Sequence, residues 1–320
     1  MISIQWRPDR RRLRRFGFVV FVWWLVAFVG SPPLLHGRSE PAPEPPRIVF
    51  FDVGQGDAAL VQGREATMLI DTGGGRNDGT AGRRLVRGLR ALGARQVDVL
   101  VVTHGDLDHR AGANRILAEL PVTELWLPFG AEQDPPIAGL ARRAKRAGVR
   151  VRWLAAGGEP IDRGDLRVEV LWPAGADAFG RSRNEGSLVL LVALAGTRAL
   201  FAADVGAPVE KRLLEDPARL RADQLKVGHH GSRSSSTMDF LEAVAPRWAV
   251  VSAPCKASRG LPNAAILDRL AASGISLGWT GRDGAVFLRA EAGARRGLRP
   301  WASPRRCRDG PASLAALIQD

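Results

Sequence analysis

At 320 residues, with 45% apolar and 25% charged residues, the chain has the composition of an ordinary globular protein and the length for a substantial core. Its 46 Lys+Arg against 33 Asp+Glu give +13, but residues 1–15 hold six arginines against one acid, and residues 289–310 hold seven against two. The excess is largely terminal, which argues against a phosphate-tracking groove across the body of the chain.

Arg10 to Arg15 precede an uncharged apolar run, Phe16 to Gly30, which with Ser31–Leu35 reaches the roughly 20 residues needed to span a bilayer. The flanking arginines place the N-terminus in the cytoplasm and the rest outside. Residues 1–35 are therefore expected to form a single-pass inner-membrane anchor with a periplasmic or otherwise extracytoplasmic domain. The alternative is a cleaved signal peptide and secretion, although no clean A-x-A site follows the run. Residues 36–47, with Pro41, Pro43, Pro45 and Pro46, read as a stiff linker. Residues 48–289 form the expected domain, and 290–320 a basic tail too rich in Arg, Gly and Pro to fold.

Within the domain, strands are expected at Ile48–Val53, Ala58–Gln62 and Thr67–Asp71, separated by glycine turns, then a helix over Gly79–Leu92. Val97–Val102 reads as a buried strand. Helices at Arg110–Leu120, Ile137–Ala147 and Ala207–Glu215 alternate with strands at Leu125–Pro128, Val149–Leu154, Leu166–Trp172, Leu188–Leu194, Arg198–Asp204 and Gln224–Gly228. Asn263 suits the cap of a helix to Leu270, and Ile275–Trp279 and Ala285–Leu288 close the sheet. Trp126, Trp153 and Trp172 fit core positions at strand ends. Two runs of basic residues, Arg83, Arg84, Arg87, Arg90 and then Arg142, Arg143, Lys145, Arg146, fit solvated helix faces. Cys255 and Cys307 form no C-x-x-C pair, and a disulfide between them is open if the domain is extracytoplasmic.

The chemistry concentrates after Val102. His104, Asp106, Asp108 and His109 fall within six residues on a loop leaving a strand, and two of the remaining three histidines are the adjacent His229 and His230. Imidazoles and carboxylates converging without a cation would bury crowded negative charge, so the pattern points to divalent metal. Asp204, at a strand tip between apolar runs, is either a helix N-cap or a metal bridge. Adjacent residues on extended backbone point opposite ways, so one of the two histidines should ligate: His229, with His230 behind it or donating a proton.

The order H-x-D-x-D-H resembles the first metal motif of the metallo-β-lactamase fold, H-x-H-x-D-H. With Phe51-Asp-Val-Gly-Gln-Gly-Asp-Ala58 upstream and Lys226-Val-Gly-His-His-Gly-Ser232 downstream, the stretch from Ile48 to Leu288 resembles the hydrolase domain of ComEC-type DNA-uptake proteins. That resemblance implies an αββα sandwich of the α/β class, carried here behind the membrane-spanning helix, and two divalent ions, Zn2+ or Mn2+. His104 and Asp106 would hold one ion; Asp108, His109 and His229 would hold the other; Asp204 would bridge, and a hydroxide between the ions would be the nucleophile. Asp71 would orient the metal loop without ligating, and Asp57 would face substrate or support the ligands. Asn184 and Ser187 fit an N-x-x-S pattern near the substrate, and Ser232 offers a hydroxyl to phosphate.

The implied reaction is phosphodiester hydrolysis, with Asp108 and His230 as catalytic groups and DNA or another phosphodiester as substrate; no protein partner is deducible. Hydrolysis of a small extracytoplasmic ester is the alternative enzyme. A tethered binding module without turnover is the alternative of another class, because Leu261 stands where the resembling pattern reads G-H-P.

Overall fold

The computed structural model describes residues 45–74, 80–175, 182–255 and 260–290, together with the backbone of 299–300. Among these, no helix is long and apolar enough to cross a membrane. The expected anchor at 1–35, the linker up to residue 44 and most of the tail lie outside the described residues.

β1 (Arg47–Phe50), β2 (Ala59–Gln62) and β3 (Thr67–Ile70) form an antiparallel meander. Helix α1 (Thr80–Ala91) then returns the chain so that β4 (Val97–Val101) runs parallel to β3. Two short helices, α2 (Leu107–Arg110) and α3 (Ala113–Glu119), lead to β5 (Val122–Pro128), and α4 (Pro135–Arg146) leads to β6 (Arg150–Leu154). Both strands add in parallel.

The second sheet begins antiparallel, with β7 (Ile161–Arg163), β8 (Leu166–Trp172), β9 (Val189–Leu194) and β10 (Thr197–Phe201). It turns parallel once helices intervene: α5 (Ala207–Leu213) before β11 (Gln224–Lys226), α6 (Met238–Val244) before β12 (Trp248–Val251), and α7 (Ala264–Ala272) before β13 (Ser276–Trp279). Past the single turn α8 (Thr280–Asp283), β14 (Val286–Arg289) returns to pair with β1, and β15 (Arg299–Pro300) pairs with β14. The sheet orders are β15-β14-β1-β2-β3-β4-β5-β6 and β13-β12-β11-β10-β9-β8-β7.

Side-chain alternation along the strands fixes three apolar layers. From β4 onward, Leu100 and Val102 join α1, α3 and α4 residues such as Leu89, Ile116 and Leu140, while Val99 and Val101 face the other sheet. In β9, Leu190 and Val192 meet that inter-sheet layer, and Val189 and Leu191 pack under Val209, Phe240 and Ile266 of α5, α6 and α7. A strand buried on both faces is apolar throughout, which is why these segments read as continuous hydrophobic runs. The result is the expected sandwich of two sheets with helices outside. Trp126 and Trp172 are buried in it, and all eight basic residues assigned to helix faces are exposed. Asn263 caps α7 by accepting from Ala265 N at 3.1 Å.

Candidate metal centre

Neighbouring parallel strands end on the same side of a sheet, and open α/β sheets bind ligands at those carboxyl ends. Asp71 follows β3, His104 to His109 follow β4, Asp204 follows β10, and His229 and His230 follow β11. The β1–β2 loop adds Asp57, whose N–H donates to the Asp108 carbonyl at 3.1 Å and whose carbonyl accepts from Gly73 at 2.6 Å. Gly56 makes that closeness possible: a Cβ there would lie 2.0 Å from the Asp108 carbonyl oxygen, at φ +122°.

Three imidazoles are fixed in one orientation by what their Nδ1 atoms touch. Asp71 accepts from Thr103 N and from Thr103 Oγ1, both at 2.8 Å, and its Oδ2 lies 2.7 Å from His109 Nδ1. With its only proton committed to Asp71, the Thr103 hydroxyl must accept from His104 Nδ1, 3.1 Å away. His230 Nδ1 lies 3.0 Å from the Ser252 carbonyl, which can only accept. All three Nδ1 atoms are thus donors, and all three Nε2 atoms turn inward. A partner on the far nitrogen is how proteins orient histidines toward a metal.

The inward atoms crowd together. His109 Nε2 lies 3.4 Å from His230 Nε2 and 3.3 Å from Asp204 Oδ1; His230 Nε2 lies 3.3 Å from both Asp204 Oδ2 and Asp108 Oδ2. His104 Nε2 lies 3.7 Å from Asp106 Oδ2 and 3.9 Å from Asp204 Oδ2. It is fully buried, with no hydrogen-bond partner among the described residues. Asp57, His109, Asp204 and His230 each offer a ligand atom within 4.8 Å of the others. An orphaned, inward-facing imidazole nitrogen beside unpaired carboxylate oxygens is a donor set that fits a divalent cation.

The electrostatics agree. Burial, and then the His109 charge, drive the His104 pKa down from 6.5 to about 3, so its lone pair is free. Burial also lowers His109, but Asp204 and Asp71 outweigh it and raise the pKa to about 10. His230 is likewise raised, by Asp204 and Asp57 against burial. Burial pushes Asp57 up, yet Lys226, His230 and His109 hold it at about 2. Lys226, in β11, is itself buried against Asp57 and donates to the Ala203 carbonyl at 3.3 Å.

The two adjacent histidines depart from the extended backbone assumed for them. His229 (φ 47°, ψ 49°) and His230 (φ 53°, ψ 26°) sit in a left-handed turn, as does Asp71 at φ 59°. Such strain in non-glycine residues collects at functional sites. The turn sends His230 into the cluster, whereas His229 Nε2 lies 3.5 Å from Asn184 Nδ2. It is thus His230, and not the expected His229, whose ring faces the other donors. Nor is Asp204 a helix cap: Gly206 caps α5, with no side-chain hydrogen bond.

Ser187 is buried and donates to the Arg183 carbonyl at 3.2 Å, and Ser232 Oγ pairs with Ser234 Oγ at 2.9 Å, so neither joins the cluster. The sequence gives Thr103, Ser252 and Arg183 no role, and Lys226 only a place at the head of a motif. Lys226 carried a signal: a lysine inside an apolar strand must find a buried partner. Leu261 lies near the site, because Asn263 N donates to the Gly231 carbonyl at 2.9 Å.

Comparison with known proteins agrees with this geometry. The chain is 29% identical to ComE operon protein 3 of Bacillus subtilis (strain 168), over 76% of its own length and 33% of that protein. It is 30% identical to competence protein ComA of Neisseria gonorrhoeae, over 82% of its own length and 34% of that protein. It therefore spans about a third of the length of these curated relatives. Among solved structures it shares its fold with CmlA, a diiron beta-hydroxylase from Streptomyces venezuelae, at TM-score 0.54 and 18% identity, over 78% of this chain and 55% of that one. Residues 51–254, which hold both sheets' central strands and every inward-facing donor, match the model of the metallo-beta-lactamase superfamily, and the chain belongs to that family.

Proposed function

We propose that this protein is a divalent-metal-dependent phosphodiesterase that acts on DNA outside the cytoplasm. The observation that carries the reading is the spacing of Asp108, His109, Asp204 and His230. Metal–nitrogen and metal–oxygen bonds of about 2.0–2.2 Å put neighbouring ligand atoms of a tetrahedral shell about 3.3–3.6 Å apart. Four contacts among these residues measure 3.3–3.4 Å: His230 Nε2 makes three of them, to Asp108, Asp204 and His109, and His109 Nε2 makes the fourth, to the other oxygen of Asp204. Asp57 approaches the Nδ1 sides of His109 and His230, at 3.8 and 3.4 Å, so it acts behind the shell and orients it. His104, Asp106 and Asp204 offer a second position that shares Asp204. The mixed nitrogen and oxygen donors suit Zn2+ or Mn2+.

When bound, such ions lower the pKa of water and offset charge on a phosphoryl group. The chain's own residues do the rest. Asp71, Thr103 and Ser252 fix the imidazoles, the buried Lys226 keeps Asp57 ionised, and His229 beside Asn184, its pKa lowered by burial, can accept a hydrogen bond from water or substrate. DNA as substrate draws on the competence relatives. An extracytoplasmic site draws on the apolar N-terminal run and the arginines that precede it. Leu261 favours a second reading, a tethered module that binds without turnover.

The test is hydrolysis of bis-p-nitrophenyl phosphate and nicking of plasmid DNA by the full chain with Mn2+ or Zn2+. Activity that EDTA and Asp108→Ala both abolish supports the hydrolase. Equal activity in Asp108→Ala sinks the assigned centre, and metal binding without product supports the binding module.

A further inference from the structure

The two metal positions differ in how free their carboxylates are, and the difference lies in Arg183. The tight position has four donors at 3.3–3.4 Å spacing, while the other has three, at 3.7 and 3.9 Å. One of those three is already engaged through its other oxygen: Asp106 Oδ1 accepts from Arg183 Nη1 at 3.0 Å, which fixes the carboxylate so that Oδ2 stays 3.7 Å from His104 Nε2. The same guanidinium donates through Nε and Nη2 to Asp134 Oδ1, at 3.0 and 2.8 Å.

The arrangement is built into the metal motif. A Cβ on Gly105 would stand 1.9 Å from Asp134 Oδ2 and 3.3 Å from Arg183 Nε, so only glycine between His104 and Asp106 admits the pair. Arg110 closes the other side, donating from Nε to the Gly105 carbonyl at 2.7 Å. Two guanidiniums thus meet two carboxylates at the rim. Asp134 is buried, but the side chains of Asp106 and Arg183 are 37% and 40% exposed, so their ion pair is screened and readily exchanged.

We propose that Arg183 competes with the second divalent ion for Asp106, so that the centre fills in two unequal steps and a substrate phosphate oxygen takes the guanidinium once Asp106 turns to the metal. This rests on the two-ion reading above. When Asp106 leaves, Arg183 and Arg110 face Asp134 alone, and the rim carries excess positive charge beside the reacting position. A planar guanidinium with donors on two edges can keep Asp134 on one edge and offer the other to a phosphate, which a lysine cannot do.

The experiment is calorimetric titration of the metal-stripped full chain with Mn2+, with the stoichiometry checked by elemental analysis. Wild-type protein should bind one ion tightly and a second at least tenfold more weakly. Arg183→Gln should tighten the second equivalent by about threefold or more and leave the first unchanged. It should also raise the KM for bis-p-nitrophenyl phosphate more than it lowers kcat. If Asp134, left without its partner, prevents folding, the Arg183→Gln/Asp134→Asn pair removes both charges and carries the same expectation; the unchanged first equivalent reports that the fold is intact. Two equivalents of equal affinity in wild type, or a second equivalent unchanged or weaker in the variants, overturn the proposal and leave the metal centre standing. No tight equivalent at all overturns both.

Discussion

His109 and His230 meet Nε2 to Nε2 at 3.4 Å across the gap between the two sheets, one held from behind by Asp71 and the other by the Ser252 carbonyl. Two ring nitrogens this close are comfortable when one cation accepts both lone pairs. Without it, both rings are driven to protonate by the surrounding carboxylates, Asp204 chief among them.

His230→Ala is therefore expected to weaken the tight ion by more than about a hundredfold, because a donor is lost outright. His229→Ala should weaken it by about 10–100-fold at most, the range of a supporting contact. Metal content and titration of the two purified variants decide the matter. If His229→Ala strips the metal and His230→Ala keeps it, the assignment is reversed.

The place of this pair shows what the sequence could and could not tell. That His104, Asp106, Asp108 and His109 leave a buried strand together was legible, because the apolar run ends at Val102 and the polar residues follow within a loop. Strand and helix alternation was legible for the same reason, from β3 to β6. The choice between His229 and His230 was not, since it depends on two consecutive left-handed residues, which no periodicity announces. The strand Trp248–Val251 and the helix Met238–Val244 were also missed. The second presents only Phe240, Leu241 and Val244 to the core, too few for a helical period to register. Arg183 reads as one more arginine on a polar loop until the fold brings Asp106 and Asp134 to it.

Lys226 and Asp57 form an ion pair buried on both sides, with side-chain exposures of 4% and 8%. Removing one partner of such a pair leaves an uncompensated charge, which costs about 3–5 kcal/mol. Lys226→Met should therefore lower the unfolding free energy by about that amount, and adding Asp57→Asn should recover part of it. Urea denaturation of the two single variants and the double, metal-free, closes the cycle. Strictly additive losses would mean that the two residues do not act on each other.

The opposing pulls on His109 give metal-free and metal-bound protein opposite responses to alkali. Burial lowers its pKa, but Asp204 and Asp71 raise it from 6.5 to about 10. In the metal-free protein the protonated ring contributes stability that is fully present below pH 6.5 and is lost as pH rises through about 10. A ligating ring must give up that proton, so metal affinity rises with pH over the same window and binding releases protons. Thermal unfolding of chelated protein should thus shift to lower Tm between pH 7 and 10, while the increment added by Mn2+ grows. Calorimetry in buffers of different ionisation enthalpy counts the protons. On the acid side, Asp57, held at about 2 against an ordinary 3.8, contributes stability present above pH 3.8 and lost as pH falls through about 2.

Gly56 offers a separation of backbone strain from site geometry. A methyl group at residue 56 would stand 2.0 Å from the Asp108 carbonyl oxygen and 2.9 Å from Gly74 N, both backbone atoms that cannot yield without moving the metal loop. Gly54, two residues earlier in the same loop, has φ +77° and open space around its Cβ position. Gly54→Ala should thus lose about 1 kcal/mol of stability from the left-handed backbone and keep its metal. Gly56→Ala should lose about 1–3 kcal/mol and, in addition, bind the tight ion at least about tenfold more weakly, because Asp108 is pushed from its ligating position. Melting curves report the first effect and metal titration the second. Equal metal affinity in the two variants would show that the Asp108 position does not depend on the close approach of the β1–β2 loop.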